Sequence, residues 1–151
     1  LQYHQISQGQ EAVSIHYESQ LHQGDYAAQL LDCLAKDRAV QYSSCGIHKD
    51  DLSFEIDGHP IKKFGSQGQQ KSFLIALKLA QFAFIQNHTQ TQPILLLDDI
   101  FDKLDDGRVA QLVDLVNQNR FGQLFISDTN FQRTEKIVRE TGQGYTMIEL
   151  L

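Results

Sequence analysis

Residues 64–71 form a stretch with two glycines, Phe-Gly-Ser-Gln-Gly-Gln-Gln-Lys, that leads directly into a long apolar segment. Gly65 and Gly68 leave the backbone uncovered, so another molecule can approach it closely. Ser66 is a good N-cap residue, because its hydroxyl can accept a free N–H of the first helical turn. A helix start with free N–H groups and Lys71 nearby is suited to bind an anion.

The helix that follows Ser66 is predicted to run to about residue 87 and is apolar on almost every side. Such a helix is buried in a protein or in a membrane. Because Lys71, Lys78 and Gln81 interrupt the apolar pattern, we expect burial inside a protein.

Four apolar residues, 94–97, run straight into Asp98 and Asp99. A short continuous apolar run predicts a buried central strand of a parallel sheet. Ligands of such sheets bind at the carboxyl ends of the strands, which is where the two acids lie. The pattern favours a metal site over two solvated acids that only cap a strand.

The rest of the chain is predicted to alternate between strands and helices. Further strands are expected at residues 12–18, 52–56, 124–126 and 145–151, with a hairpin turn at Asp57-Gly58. Further helices are expected at residues 25–37 with Asp25 as N-cap, from residue 105 with an apolar stripe, and at residues 131–140. Residues 1–10 are expected to be a frayed start or an edge strand.

The order of strands and helices from residue 94 onward predicts a parallel sheet covered by helices. The 151 residues give room for one domain with a sizeable core. We therefore predict a single α/β domain over residues 1–151, with a mostly parallel sheet flanked by helices.

Charge and cysteine content narrow the function classes. The formal net charge of −6 excludes a generally basic nucleic-acid surface, so any DNA contact must come from a local patch. Cys33 and Cys45 fit no metal-ligand spacing and are too few for a disulfide framework, so we expect two reduced thiols.

Without a signal peptide or a membrane-spanning apolar run, we expect a cytoplasmic protein with no membrane contact. A chain that starts at Leu1 and whose single Met is Met147 is expected to be a fragment of a longer protein.

Three of these motifs resemble those of ABC-type ATPases. Residues 65–69 resemble the signature motif, residues 94–99 resemble the Walker B strand, and residues 101–105 resemble the D-loop. The resemblance implies the C-terminal lobe of an ABC-type ATPase head, with ATP and Mg²⁺ as ligands.

Within that superfamily, residues 46–52, 64–71 and 76–81 closely resemble the RecF family of bacterial DNA replication and repair ATPases. The resemblance runs from about residue 11 to the C-terminus. It implies a role in DNA replication, recombination and repair, including the SOS response. The family has a proline where Ile47 stands and an arginine where Lys49 stands.

The resemblance assigns roles to individual residues. Asp98 supports Mg²⁺, Asp99 is the catalytic residue that polarises the attacking water, and Asp105 belongs to the D-loop. His48 and Lys49 become candidates for phosphate or DNA contact, although composition alone indicates a solvated turn. The positions implied to bind the ATP of a partner subunit are Ser66, Gln67, Gly68, Gln69 and Lys71.

ABC transporters have a histidine after the strand predicted at residues 124–126, and this chain has none there. Ser127, Asp128 or Thr129 could take its part.

The resemblance also implies how the ATPase works. The family's P-loop lies near the N-terminus of the full protein, outside this chain, so this chain alone is expected to be inactive. Two heads form a homodimer around two ATP molecules, and the signature motif of one head closes over the ATP of the other. The ATP-bound dimer is implied to load on DNA near single-strand/double-strand junctions, with RecR and RecO as partners.

Two other readings remain open. Residues 65–72 nearly fit a P-loop and fail only at Gln70, where a glycine is required, so the chain could bind a nucleotide by itself. The chain could also be a non-catalytic interaction module, in which residues 65–70 only cap a helix.

Overall fold

The computed structural model of the protein describes residues 2–89, 91–118 and 121–149. The elements are α1 (Gln2–Ile6), β1 (Val13–Glu18), α2 (Tyr26–Val40), β2 (Asp51–Ile56), β3 (His59–Pro60), α3 (Ile61–Phe64), α4 (Gln67–Thr89), β4 (Ile94–Leu97), α5 (Asp106–Gln118), β5 (Gln123–Ile126) and α6 (Phe131–Glu140). Two 3₁₀ turns lie at Gln20–Gln23 and Ile47–Lys49.

The first sheet is antiparallel and has the strand order β1-β2-β3. Its long pair runs from Val13 opposite Ile56 to Glu18 opposite Asp51. The turn between β2 and β3 has left-handed backbone at Asp57 (φ 49°) and at Gly58 (φ 76°). Two successive positive φ angles are what a tight hairpin of this kind requires, and the predicted hairpin is confirmed.

The second sheet pairs β4 and β5 in parallel, with Ile94 opposite Gln123 and Leu97 opposite Ile126. Helices flank this pair, so the predicted α/β class with a helix-flanked parallel sheet is confirmed. The expectation that β4 is buried on both faces is wrong. Leu95 and Leu97 are buried, whereas Ile94 is 57% and Leu96 65% exposed, because the described elements cover only one face of the strand.

Helix α4 is confirmed at its predicted place, but it is not buried on all sides. Leu74 and Phe84 are 52% and 60% exposed. The buried side chains recur at about helical spacing on one face, and they are Ser72, Phe73, Ile75, Ala76, Leu79 and Phe82. α1 and α3 pack on this helix, so only one side of it meets the core.

The start of the chain is a helix, and the expected frayed segment or edge strand is wrong. A five-residue helix has little stability of its own. Tyr3 and Ile6 lie three residues apart and are both buried, as α1 packs on α4 and α5. Tertiary packing therefore makes this helix.

Helix α2 is confirmed, and Asp25 caps it by accepting the N–H of Ala28 at 3.1 Å. It continues to Val40. Cys33 on this helix and Cys45 after it are joined by a disulfide, with 6.4 Å between their Cα atoms. The prediction of two reduced thiols is therefore wrong, because the chain folds back after α2 and brings the second cysteine within bonding reach.

The final strand predicted from residue 145 does not form over residues 145–149, and residues 150–151 lie outside the described part. An alternating pattern forms a strand only when it pairs with another strand, and no described strand pairs with residues 145–149. In this segment the Tyr145 hydroxyl instead accepts a hydrogen bond from Arg139 Nε at 3.1 Å.

Within residues 2–89, 91–118 and 121–149, no helix is both long and apolar enough to cross a membrane.

Candidate functional site

The glycine turn, residues 65–71, is closed by a reciprocal cap. The Ser66 hydroxyl accepts the N–H of Gln69 at 3.2 Å, and the Gln69 side-chain oxygen accepts the N–H of Ser66 at 2.8 Å. This is a capping box, and it fixes the start of α4. Because Ser66 accepts through a lone pair, its hydroxyl can still donate a hydrogen to an anion.

The two glycines are required by close approaches within the chain. A Cβ atom at Gly65 would lie 2.6 Å from the carbonyl oxygen of Ile61, and one at Gly68 would lie 3.0 Å from that of Lys103. The sequence predicted open backbone at both positions. The structure shows that the loop of residues 101–105 lies directly against the second glycine.

The carboxylate pair, Asp98 and Asp99, follows β4 and meets the end of the adjacent parallel strand. The Ser127 hydroxyl donates to Asp98 Oδ1 and accepts the N–H of Asp99 at 3.1 Å. Ser127, one of the three residues considered in place of a histidine, therefore lies at the pair. Asp128 instead accepts the N–H of Asn130 at 2.7 Å, at the start of α6.

Asp99 also faces the glycine turn. Its Oδ2 lies 3.9 Å from Nζ of Lys71. Its backbone is left-handed (φ 49°), a conformation that costs a non-glycine residue on the order of 1 kcal/mol. The glycine turn and the carboxylate pair thus share one surface.

The 101–105 loop is held from the side of α6. The Arg133 guanidinium donates to the carbonyl oxygens of Phe101 at 2.9 Å and Leu104 at 3.1 Å. Phe101 and Leu104 are buried, and Lys103 has left-handed backbone (φ 63°). Sequence reasoning missed Arg133, because an arginine in a surface helix gives no signal of which loop it contacts.

Asp105 ends this loop and caps α5. It accepts the N–H of Arg108 at 2.9 Å, and its other oxygen lies 3.2 Å from Nε of the same arginine. The predicted D-loop aspartate is thus tied to the first turn of α5.

Behind the glycine turn lies the Glu11 cluster, made of Tyr3, Glu11, Gln69, Ser72 and Arg108. Glu11 pairs with Arg108 at 2.6 Å, and the side chains are 12% and 17% exposed. Burial raises the pKa of Glu11, but hydrogen bonds from Arg108, Tyr3 and Gln69 outweigh it and hold the pKa below its ordinary value. Burial, and then the bond to Glu11, raise the pKa of Tyr3.

Sequence reasoning missed Glu11 and Arg108, which are 97 residues apart in the chain. The serine and glutamine of the capping box were the only local signal at this place.

His48 and Lys49 lie on the 3₁₀ turn Ile47–Lys49. His48 Nε2 donates to the carbonyl oxygen of Ser43 at 3.0 Å, and Lys49 Nζ lies 5.4 Å above the ring of Tyr42. These contacts are with their own segment of the chain. The structure therefore does not join these two residues to the glycine turn or to the carboxylate pair.

The donor set at the carboxylate pair fits Mg²⁺. That ion prefers oxygen ligands and keeps several waters, so one or two carboxylates are enough beside substrate phosphates. In the described part of the chain no group of three or more His, Cys, Asp or Glu side chains could hold a metal. The two acids with the Ser127 hydroxyl suit an ion that is completed by water and phosphate.

Curated proteins that are similar to this chain include RecF proteins of several bacteria. The DNA replication and repair protein RecF of Flavobacterium johnsoniae is 61% identical over 145 residues, which are 96% of this chain and 40% of that protein. The RecF proteins of Parabacteroides distasonis and Bacteroides fragilis are 48% and 46% identical over 98% of this chain. The chain is homologous to the C-terminal portion of RecF. The resemblance to RecF predicted from the motifs is confirmed.

The chain spans about 40% of the length of the curated RecF proteins that it matches. No family model matches it. Two solved structures, of the recombination mediator protein RecF with ATPrS and with ATP in the RecFOR pathway, have a TM-score of 0.65 and 23% identity. They cover 86% and 85% of this chain and 37% and 38% of theirs, and they show that the fold is shared.

Proposed function

We propose that this chain is the C-terminal part of a RecF-like ATPase whose glycine turn closes over an ATP molecule bound to a second subunit. One observation carries the proposal. The start of α4, the carboxylate pair and the 101–105 loop lie together, with Lys71 Nζ 3.9 Å from Asp99 and Gly68 against the carbonyl of Lys103. In the proposal, the N-terminal portion present in the longer RecF relatives carries the P-loop.

The glycine turn supplies the contacts to the ATP of the partner subunit. The Ser66 hydroxyl and the N–H of Gly68 donate to its γ-phosphate, since both lie at the N-terminal end of a helix whose dipole favours an anion. Gln67 borders this surface and Lys71 adds positive charge. Gln69 acts through its own chain, because its side chain already contacts Ser66 and Glu11.

The carboxylate pair serves the ATP of its own subunit. Asp98, oriented by the Ser127 hydroxyl, supports Mg²⁺ through water, and the ion when bound neutralises phosphate charge. Asp99 orients the attacking water and accepts its proton. Asp105 holds the 101–105 loop beside the dimer interface by capping α5.

The proposed context is DNA repair in the cytoplasm. The relatives are DNA replication and repair proteins, and the solved structures come from the RecFOR pathway. We propose that ATP drives a homodimer that loads on DNA at single-strand/double-strand junctions with RecR and RecO. His48 and Lys49 are proposed to touch DNA phosphate from their separate 3₁₀ turn, because the net charge of −6 leaves only local patches for DNA.

The test uses this chain joined to the N-terminal portion of a RecF relative, termed here the complete protein. Ser66→Arg fills the anion surface and should abolish ATP-dependent dimerisation, measured by light scattering with and without Mg-ATP. Asp99→Asn should instead retain dimerisation and prolong it, because the bound ATP is no longer hydrolysed. Ser53→Arg, on β2 in the other sheet, is the matched control and should dimerise normally.

Two results would refute the proposal. If the unchanged complete protein stays monomeric in Mg-ATP, the ATP-driven dimer is absent. If Ser66→Arg dimerises as well as the Ser53→Arg control, the glycine turn is not the contact.

A self-contained nucleotide site at residues 65–72 has less support. A P-loop follows a buried strand, whereas α3, a single helical turn, precedes the glycine turn. Calorimetry of this chain alone with Mg-ATP should therefore show no binding. Stoichiometric binding that is lost in Lys71→Ala would favour the self-contained site.

A further inference from the structure

Glu11 collects four hydrogen bonds from three parts of the chain. Its Oε1 accepts from Arg108 Nη2 at 2.6 Å and from Gln69 Nε2 at 2.9 Å. Its Oε2 accepts from the Tyr3 hydroxyl and from Arg108 Nη1 at 3.4 Å. Both oxygens are thus used twice, by donors from α1, α4 and α5.

Arg108 continues the network on its far side. Besides Glu11 it contacts the Ser72 hydroxyl at 3.1 Å and the Asp105 carboxylate at 3.2 Å. Ser72 lies on α4 and is fully buried. A planar guanidinium presents five N–H donors in a rigid fork, so it can hold several partners in fixed directions, whereas an ammonium group is a compact charge without that fork.

The network therefore joins the two segments of the proposed ATP surface. Gln69 caps the glycine turn at Ser66, and Asp105 ends the 101–105 loop. Glu11 and Arg108 form the bridge between these two residues. The glycine turn and the 101–105 loop are also close to each other directly, because the carbonyl oxygen of Lys103 lies where a side chain at Gly68 would have to be. A small shift of either segment therefore displaces the other.

We propose that Glu11 and Arg108 are positioning residues, which fix the glycine turn against the 101–105 loop so that both meet ATP in one arrangement. The inference rests on the proposed function, because it concerns the same surface. Neither side chain touches the nucleotide. Glu11 comes from outside the three motifs of the site, so its role follows from the contacts alone.

Two conservative variants test the bridge in the complete protein. Glu11→Gln keeps the shape but presents an NH₂ group to donors, and Arg108→Lys keeps the charge but loses the fork. Each should weaken ATP-dependent dimerisation roughly tenfold to a hundredfold, because small misplacements of site groups cost this much. Affinity for Mg-ATP, whose P-loop lies elsewhere in the complete protein, should stay within about twofold.

The double variant Glu11→Gln/Arg108→Lys separates a shared role from two independent ones. If the residues act as one bridge, the double variant should dimerise about as well as the more impaired of the two single variants. If the two losses add, the proposal of one bridge is overturned.

A control variant distinguishes a loss of positioning from a general loss of stability. Ile56→Val removes a methylene from the buried core on β2 and should lower the melting temperature without touching the bridge. If it reduces dimerisation as much as Glu11→Gln does at equal loss of melting temperature, the bridge has no positioning role. Arg139→Lys, in the surface pair with Glu135, should leave both dimerisation and the melting temperature unchanged.

Amide hydrogen exchange tests the positioning role of the bridge in the absence of dimerisation. In the nucleotide-free complete protein, Glu11→Gln should raise exchange of the amides of Ser66 and Gln69 roughly tenfold. Ile56→Val should not raise it. If the unchanged protein does not dimerise with ATP, the proposed function fails, and the exchange data alone then decide whether Glu11 positions the turn. Unchanged exchange in Glu11→Gln would overturn the inference.

Discussion

Nζ of Lys71, in the first turn of α4, lies 3.9 Å from Oδ2 of Asp99, at the end of β4. The lysine is proposed to face the ATP of a partner subunit and the aspartate the ATP of its own. In this structure the two side chains face each other within one chain. We expect the proposed ATP-driven dimer to exchange this ion pair for contacts with nucleotide.

The Lys71–Asp99 pair should matter for function and little for stability. The side chains are 23% and 46% exposed, and such pairs contribute less than about 1 kcal/mol. Lys71→Met should leave the unfolding midpoint of the complete protein nearly unchanged and reduce ATP-dependent dimerisation. Lys78→Met, further along the same helix, is the control. Strong destabilisation by Lys71→Met would show that the pair is structural.

Gly65→Ala should destabilise the glycine turn. The new Cβ would lie 2.6 Å from the Ile61 carbonyl oxygen, so the backbone has to shift. We expect a loss of roughly 1–3 kcal/mol in the free energy of unfolding, measured with urea. Gly144→Ala meets no atom within 4 Å and should be close to neutral. Equal effects of the two variants would contradict the close approach.

Arg133→Met tests the clamp on the 101–105 loop. Removal of the guanidinium leaves the carbonyl oxygens of Phe101 and Leu104 without their donors, which should cost roughly 1–3 kcal/mol. Arg139→Met removes the exposed contacts with Glu135 and with the Tyr145 hydroxyl, and it should destabilise the protein less than Arg133→Met does. Chemical denaturation of both variants measures the difference. A milder effect at Arg133 than at Arg139 would rule out the clamp.

Glu11 should give stability a dependence on acid pH. Its pKa in the folded protein lies below the ordinary value of 4.5, so the folded state binds the proton less readily than the unfolded state does. The contribution is complete above that value and is lost as pH falls through the folded pKa. Urea unfolding at about pH 6 and about pH 3 should thus show a smaller loss in Glu11→Gln than in the unchanged protein. Glu140→Gln, on the exposed end of α6, should keep the full loss.

Sequence patterns predicted the local features of the structure well. The N-cap at Ser66, the turn at Asp57-Gly58 and the strand that ends at Asp98 all depend on residues within a few positions of one another. Hydrogen bonds of caps and turns are short-range, so the residue types alone determine them.

Burial was predicted less well. Ile94, Leu96 and Phe84 are apolar and were expected to be covered, but they are exposed in this chain. An apolar pattern indicates that a face of a helix or strand is buried by other residues, but it does not indicate which segment buries it. For the same reason the pattern at residues 145–149 did not produce a strand.

The sequence by itself determined the glycine turn, the carboxylate pair, their resemblance to RecF and the α/β class. Only the tertiary structure decided that α1 is a helix, that Cys33 meets Cys45, and that Glu11 meets Arg108. Those contacts join residues far apart in the chain, and their formation depends on the path of everything between them. Propensity and spacing act over a few residues, whereas the packing that brings Glu11 to the glycine turn is set by the whole fold.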